Sequence, residues 1–262
     1  MKPYADHFSR VAADYAARRP RDPPELFRYL ASLAPSRGLA WDCAAGTGQA
    51  SIPLADWFER VVATDASAAM VAQADPHPSV EYRVAIAERS GLPDQSVDLV
   101  TVAQALHWLP PTDFYAEVER VLAPGGIVAV WTYGIIHLDG EPADGIVSRF
   151  YRDVVGAFWP AERRHVESGY QTLPFPFAEL TPPSFAMQVQ WTLAELLGYI
   201  GTWSATERYR EAMGHDPVER LASELGSHWG DPVTSRTITW PLTLRVGKSR
   251  GPTPSRERGG EE

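Results

Sequence analysis

Two short segments, VDLVTVA at residues 97–103 and IVAVW at 127–131, are apolar at nearly every position. A strand with one face in water alternates polar and apolar residues, so nearly unbroken apolar strands belong to a sheet covered on both faces. Around them, from Leu39 to Tyr133, short β-rich runs take turns with helical stretches. LAWDCA precedes QASIPLADWFER, VVATDA precedes SAAMVAQA, and VEYRVAIA stands before a turn at GLPDQS. VDLVTVAQAL, the helix TDFYAEVERVL, a turn APGG and IVAVWTY complete the block. Strands separated by helices signal a parallel sheet with right-handed crossovers. The pattern predicts an α/β, doubly wound fold.

Outside this block the pattern changes. The stretch ADHFSRVAADYAARRPRDPPELFRYLASLA predicts two helices broken at Pro20 and at Pro23 and Pro24. Further on, ADGIVSRFYRDVVGAFW and TLAELLGYIGTWSATERYREAM read as amphipathic helices, whereas FAMQVQW and RTITWPLTLRVGK alternate like antiparallel strands. The aromatic-rich YQTLPFPFAEL fits neither pattern. Residues 1–247 read as one domain with its core at 39–134. Residues 138–180 and 191–230 are expected to cover the carboxyl edge of the sheet, and 183–190 and 236–247 to return to it as late strands. Residues 248–262 have the composition of a disordered tail.

Composition narrows the function. A formal net charge of -9 disfavours nucleic acid or an anionic membrane as the main partner. The single cysteine, Cys43, permits no intramolecular disulfide, and its apolar neighbours suit a small buried residue. There is no apolar h-region at the N-terminus and no apolar run approaching the roughly 20 residues of a membrane span, so a cytoplasmic location is expected. H-E-x-x-H and C-x-x-C patterns are missing, which argues against bound zinc, and no G-x-S-x-G stands between a strand and a helix as a serine-hydrolase elbow would.

The chemistry is concentrated after the first strand. Gly46-Thr47-Gly48 is a glycine turn between strand and helix, placing backbone N–H groups at the sheet's carboxyl edge. Gln49, Ala50 and Ser51 follow, so the third glycine of a dinucleotide fingerprint is missing, as is the Gly-Lys-Ser/Thr of a P-loop. Asp42 precedes the loop, and Asp65 lies 19 residues beyond Gly46 at the end of VVATD. A carboxylate there can accept both hydroxyls of a ribose. It can also cap the next helix, a role for which Ser67 is equally suited. Loop and carboxylate together specify a nucleoside carrying something small.

DCAAGTGQ, ATDASAAM, AERSGLPDQSVDLVTVAQALHW and EVERVLAPGGIVAVWTYG, taken in that order, resemble the consecutive motifs of a class I S-adenosylmethionine-dependent methyltransferase of the type 11 kind. A narrower similarity, through YAARRPRDPPELF, AQALHW, YIGTWSATERY and WPLTLRVGK, is to the branch containing trans-aconitate methyltransferase. The resemblance implies a Rossmann-like, mostly parallel seven-stranded sheet of order 3-2-1-4-5-7-6. It also implies S-adenosylmethionine as cofactor, S-adenosylhomocysteine as product, no metal, and a small-molecule acceptor. A monomer or homodimer is expected.

Residue by residue, the resemblance makes Gly46 and Gly48 the point of backbone approach to the methionine part of the cofactor, flanked by Ala44. Asp42 orients the loop, Asp65 takes the ribose hydroxyls beside Ala66, and Met70 packs on the adenine. Ala87 and Glu88 read the adenine edge; Ile86 stands where many relatives carry aspartate. Tyr15 and Arg19 match the narrower branch and would close over the cofactor, while Gln104 would touch its methionine portion. His107, after the fourth strand, would face the acceptor as base or as hydrogen-bond donor. Trp108, Tyr133, Trp203 and Arg208 are expected around the acceptor, with Arg163, Arg164, His165 and Arg210 as further partners for an anion.

The expected reaction is methyl transfer to a small molecule, first of all carboxyl O-methylation of an organic acid. C- or N-methylation of an aromatic or quinone-like metabolite is the alternative. Outside the class stand a nicotinamide-dependent oxidoreductase and a non-catalytic cofactor-binding protein.

Overall fold

A computed structural model describes residues 20–249. Tyr15, Arg19, the first expected helix and residues 250–262 lie outside the described residues. Helix α1 (Pro24–Leu33) opens with proline at its first position, where the ring's fixed φ suits a helical turn. It is followed by β1 (Leu39–Cys43), α2 (Ser51–Ala55), β2 (Arg60–Asp65), α3 (Ala68–Ala72), β3 (Val80–Val84) and β4 (Val97–Ala103). A 3-10 turn at Leu106–Trp108, α4 (Pro111–Val121) and β5 (Leu122–Tyr133) complete the core.

The lateral order β3-β2-β1-β4-β5 is parallel throughout, as the apolar strands require. Adjacent residues along each strand feed opposite faces. In β5, Val128 and Val130 join Trp41, Val100, Phe114 and Val118 on one side, whereas Ile127, Ala129 and Trp131 join Leu26, Leu30 and Leu54 on the other. Each such side chain, fully buried, stabilises the fold by about 1.5–3 kcal/mol. APGG, read from sequence as a turn, lies within β5; the β4–β5 register shifts between Val97 and Leu99 to absorb it, and Gly125 there has φ +78°.

Beyond the core come β6 (His137–Leu138), α5 (Ala143–Arg149), a π-helical turn at Phe150–Val154, a 3-10 turn at Gly156–Phe158 and α6 (Arg163–Glu167). Next follow β7 (Ala178–Leu180), β8 (Phe185–Trp191), α7 (Leu193–Gly201), α8 (Ser204–Met213), α9 (Pro217–Trp229) and β9 (Arg236–Lys248). The sheet thus has nine strands where seven were expected. The registers show why. Leu242 of β9 pairs with Tyr133 of β5 and Phe185 of β8, Ile238 with Leu138 of β6 and Val189 of β8, and Val246 with Ala129 of β5 and Leu180 of β7. One edge of β9 is therefore lined by β5 and then β6, the other by β7 and β8. Nine strands fill seven lateral positions, and the expected order holds.

The first half of β9 runs past the carboxyl end of β5, and the cover helices pack there. Tyr133, Ile136, Ile238 and Trp240 form a third core with Ile146, Phe150, Leu196, Ile200, Trp203 and Leu225. Thr192 and Glu195 close a capping box at the start of α7, so the cover's entry angle is set locally. Among the described residues, no helix is long and apolar enough to cross a membrane.

The segment that fitted neither pattern is secured by one side chain. Arg245 of β9, nearly buried, binds both carboxylate oxygens of Glu179 (2.9 and 3.0 Å) and the carbonyls of Tyr170 (2.9 Å) and Leu173 (3.0 Å). Its guanidinium also lies 4.6 Å from the centre of the Phe175 ring. Replacing Arg245 by alanine strands one buried and one partly buried carbonyl and half an ion pair. A loss of about 2–4 kcal/mol of unfolding free energy is expected by urea titration.

Candidate active site

The connections leaving β1 run toward one side of the sheet and those leaving β4 toward the other, so the gap between their carboxyl ends is the switch point where doubly wound sheets bind ligands. Two non-glycine residues there adopt left-handed backbone, Ala44 after β1 and Gln104 after β4, each with φ 56°. Strained positions of this kind gather at functional sites.

Asp42 holds the two strand ends together. It is wholly buried, accepting from Ser51 Oγ at the start of α2 (2.6 Å) and from Thr101 Oγ1 of β4 (2.9 Å). The glycine loop hangs between these anchors. Its two glycines do different jobs. A β-carbon on Gly46 would meet no atom within 4 Å, so the loop opens onto free space there. On Gly48 a β-carbon would come within 2.2 Å of the Tyr82 hydroxyl and 2.9 Å of its ring, and φ is +91°. The collision that keeps residue 48 a glycine is therefore with Tyr82 of β3, whose own buried hydroxyl has no hydrogen-bond partner among the described residues.

Asp65 spans the gap from β2. One oxygen accepts the Gly46 N–H (2.9 Å), the other the Ser67 N–H (2.8 Å), and each keeps further lone pairs for a ligand. The helix cap is Ser67, whose hydroxyl accepts from Met70 N–H, so Asp65 is not spent on capping α3. Met70 is buried beside it and Ala66 is exposed. After β3, Ala87 is buried, Glu88 half-buried and Ile86 half exposed. Glu117 of α4 pins this loop by accepting from the N–H and hydroxyl of Ser90 (2.8 and 2.6 Å).

These features fit S-adenosylmethionine. There is open room above Gly46, a carboxylate with spare lone pairs for ribose hydroxyls, and a pinned loop carrying Ala87 and Glu88 for the adenine. Gln104, expected at the methionine side, has its amide fixed by Thr132 Oγ1, which donates to Oε1 (2.9 Å), and by its own Nε2 facing the Tyr133 carbonyl (3.5 Å). When bound, the cofactor supplies a methyl group on a positively charged sulfur. Among the described residues, no group of three or more His, Cys, Asp or Glu side chains is placed to hold a metal.

On the side expected to face the acceptor, His107 sits in the 3-10 turn with Nδ1 3.0 Å from the Tyr170 hydroxyl and the tilted Trp108 ring centred 4.8 Å from its own. Burial, with help from the Arg163 and His165 charges, pushes the His107 imidazole down to about 4, so it is neutral at ordinary pH. Helix α6 contacts this turn, and its Arg163 is near enough for its charge to act on His107. Arg163 donates through Nε to the Tyr151 hydroxyl (2.9 Å) and lies 4.6 Å from the Trp159 ring centre. Trp203 is in ring contact with both Tyr151 and Trp159, and Tyr133 closes the carboxyl end of β5.

The other expected acceptor residues separate. Arg210 is engaged with the Gly201 carbonyl (2.8 Å) and Asp216 (2.9 Å), a structural tie between cover helices. His165 Nδ1 pairs with Thr172 Oγ1 (2.7 Å), and Arg164 is exposed. Arg208 is half-buried on α8, a helix that meets the site through the 156–158 turn. Ser51, Thr101, Tyr82 and Thr132 were not singled out from sequence. For Thr101 a signal existed, since a hydroxyl in a strand buried on both faces must find a partner.

Two predictions follow from the loop and its anchor. Gly48→Ala should cost at least about 2 kcal/mol of stability, through both φ and the Tyr82 clash. Gly46→Ala should cost only about 1 kcal/mol while weakening S-adenosylmethionine binding, by thermal melts and calorimetry of the two variants. Asp42 is pushed up to about 6 by burial, with the Ser51 and Thr101 hydroxyls opposing and the Asp65 charge reinforcing the rise. A raised carboxyl favours folding at low pH, and that contribution is lost as pH climbs from the ordinary aspartate value through about 6. Asp42→Asn lacks this loss. Its stability relative to the unmutated chain should therefore rise by on the order of 2–3 kcal/mol between pH 4 and pH 8, read by urea titrations.

Comparison with known proteins agrees with the geometry. The methyltransferase domain family matches residues 41–130. The chain is 30% identical over 225 residues to a Dictyostelium discoideum protein described as a methyltransferase, covering 85% of this chain and 86% of that one. An uncharacterized methyltransferase of Mycobacterium tuberculosis is 33% identical over 186 residues, 71% of this chain and 70% of the relative. A solved structure described as a type II methyltransferase from Anaeromyxobacter dehalogenans has a TM-score of 0.85 at 47% identity, covering 88% of this chain and 98% of that one. With the switch-point loop, the ribose-competent Asp65 and these relatives in agreement, the chain belongs to the class I S-adenosylmethionine-dependent methyltransferases.

Proposed function

We propose that this methyltransferase acts on a small organic acid, transferring the methyl group to a carboxylate oxygen. The observation that carries the reading is the Arg163 guanidinium of α6, near enough for its charge to act on the neutral His107. Arg163 uses Nε on Tyr151, and no hydrogen bond engages its terminal nitrogens among the described residues. Its charge adds to the burial that depresses His107, disfavouring a second cation and favouring an anion. The resemblance to the trans-aconitate branch supports the same class of acceptor.

The chemistry suits what the chain offers. A carboxylate oxygen forms the new O–C bond with its own lone pair while the C–S bonding pair passes to sulfur, and no proton moves. What remains for the protein is to hold the acid in line with the methyl and keep water out, for which the aromatic wall of Tyr151, Trp159 and Trp203 is suited.

Calorimetric titration with S-adenosylmethionine, S-adenosylhomocysteine and NADH comes first. The two sulfur compounds should bind and NADH should not, and Asp65→Ala should weaken binding at least tenfold without unfolding the protein. A panel of small mono-, di- and tricarboxylic acids is then assayed for methyl ester by mass spectrometry. Arg163→Ala should raise KM for an active acid about tenfold or more, and His107→Ala should lower turnover while cofactor binding survives. Turnover of neutral aromatic or quinone-like acceptors, with every acid inert, would overturn the carboxylate reading.

A further inference from the structure

His107 and Tyr170 meet in a single hydrogen bond, and its direction decides what His107 can do. Nδ1 lies 3.0 Å from the phenol oxygen. Tyr170 is fully buried, and a buried hydroxyl proton needs an acceptor. Two atoms beside it could serve, His107 Nδ1 and Thr132 Oγ1. An imidazole lone pair is by far the stronger base of the two, so it is the better acceptor. The Thr132 proton is already committed to Gln104 Oε1 (2.9 Å), and the Leu106 backbone reaches the phenol oxygen as a donor.

We propose that Tyr170 is a positioning residue that donates its proton to His107 Nδ1, fixing the imidazole in the tautomer protonated at Nε2. His107 then offers the acceptor an N–H; Nε2 has no lone pair with which to act as a base. The charged and titratable groups around the ring keep it in this state. Arg163 and His165 from α6 both oppose a positive imidazole, and burial holds the Tyr170 phenol well above its usual range, so it stays protonated.

Tyr170 is itself held from a distance. Its backbone is left-handed, with φ 63°, an unusual conformation for an aromatic residue, and its carbonyl is bound by Arg245 Nη1 of β9 at 2.9 Å. The arrangement runs from the Arg245–Glu179 pair through the Tyr170 backbone and phenol to His107. Its consequence for the acceptor rests on the methyl-transfer reading above: an Nε2–H can orient a carboxylate, which has no proton to lose. The tautomer itself does not depend on that reading.

The test uses the full chain with 15N-labelled histidine and no acceptor. Ring 1H–15N correlations at pH 7, with His107 assigned by its loss in His107→Ala, should show a protonated Nε2 and an unprotonated Nδ1. Tyr170→Phe removes the donor to the neutral ring, so the His107 titration midpoint should rise, while burial, Arg163 and His165 still hold it below the ordinary histidine value, and Nδ1 should gain protonated character. A wild-type ring protonated at Nδ1 would overturn the proposal, whether or not Tyr170→Phe folds. So would a Tyr170→Phe variant whose His107 signals and midpoint match the wild type. Failure of the methyl-transfer reading would appear instead in the cofactor titration.

Discussion

A carboxylate with no access to water, Asp42, ties the first strand to the helix after it and to the strand beside it. Its oxygens take the hydroxyls of Ser51 and Thr101, which belong to α2 and β4. Between those anchors hang the glycine loop and the two left-handed residues, Ala44 and Gln104, that shape the switch point. Burial raises the carboxyl and therefore makes its ionised form a stability cost at neutral pH. The same burial gives the site a rigid floor with a negative charge available to a cationic ligand. A well-packed apolar replacement could remove the cost, but it would leave Ser51 and Thr101 without their shared partner.

On the acceptor side the controlling element is β9. Because it is long and antiparallel, it can accept β5 and β6 along one edge and β7 and β8 along the other. It thereby carries the cover helices out beyond the sheet and brings Arg245 beneath the segment that bears Tyr170. The cofactor and acceptor sides thus rest on separate buried charged groups. Gln104 is where they meet, bonded to Thr132 and facing the Tyr133 carbonyl at the end of β5. An aligned methyl transfer needs such a shared wall, since the two reactants must be placed within a fraction of an ångström of one another.

The local code reached far in the core. Apolar strands, the missing third glycine and the 19-residue spacing from Gly46 to Asp65 are all properties of contiguous sequence, and the structure joins Asp65 to the loop through the Gly46 N–H. It was weaker where the chain is irregular. APGG carries every mark of a turn, yet the pairing of β4 with β5 draws it into a strand as a bulge. Two of the expected sheet positions are each divided between two strands, because β9 is longer than the strands it meets.

Among the charged residues the division is sharper. Sequence alone determined the fold class, the glycine loop after the first strand and the 19-residue spacing that brings Asp65 to it, because each follows from short-range period and spacing. It could not say which of Arg163, Arg164, Arg208 and Arg210 comes near His107, since an arginine on a helix looks the same whether it ties two helices or faces a histidine. Packing decided that: Arg210 was taken up by Gly201 and Asp216, Arg164 was left exposed, and α6 was set against the 106–108 turn so that the Arg163 charge acts on His107. The pairing of His107 with Tyr170, 63 residues apart, likewise exists only once β9 has pulled that segment onto the sheet.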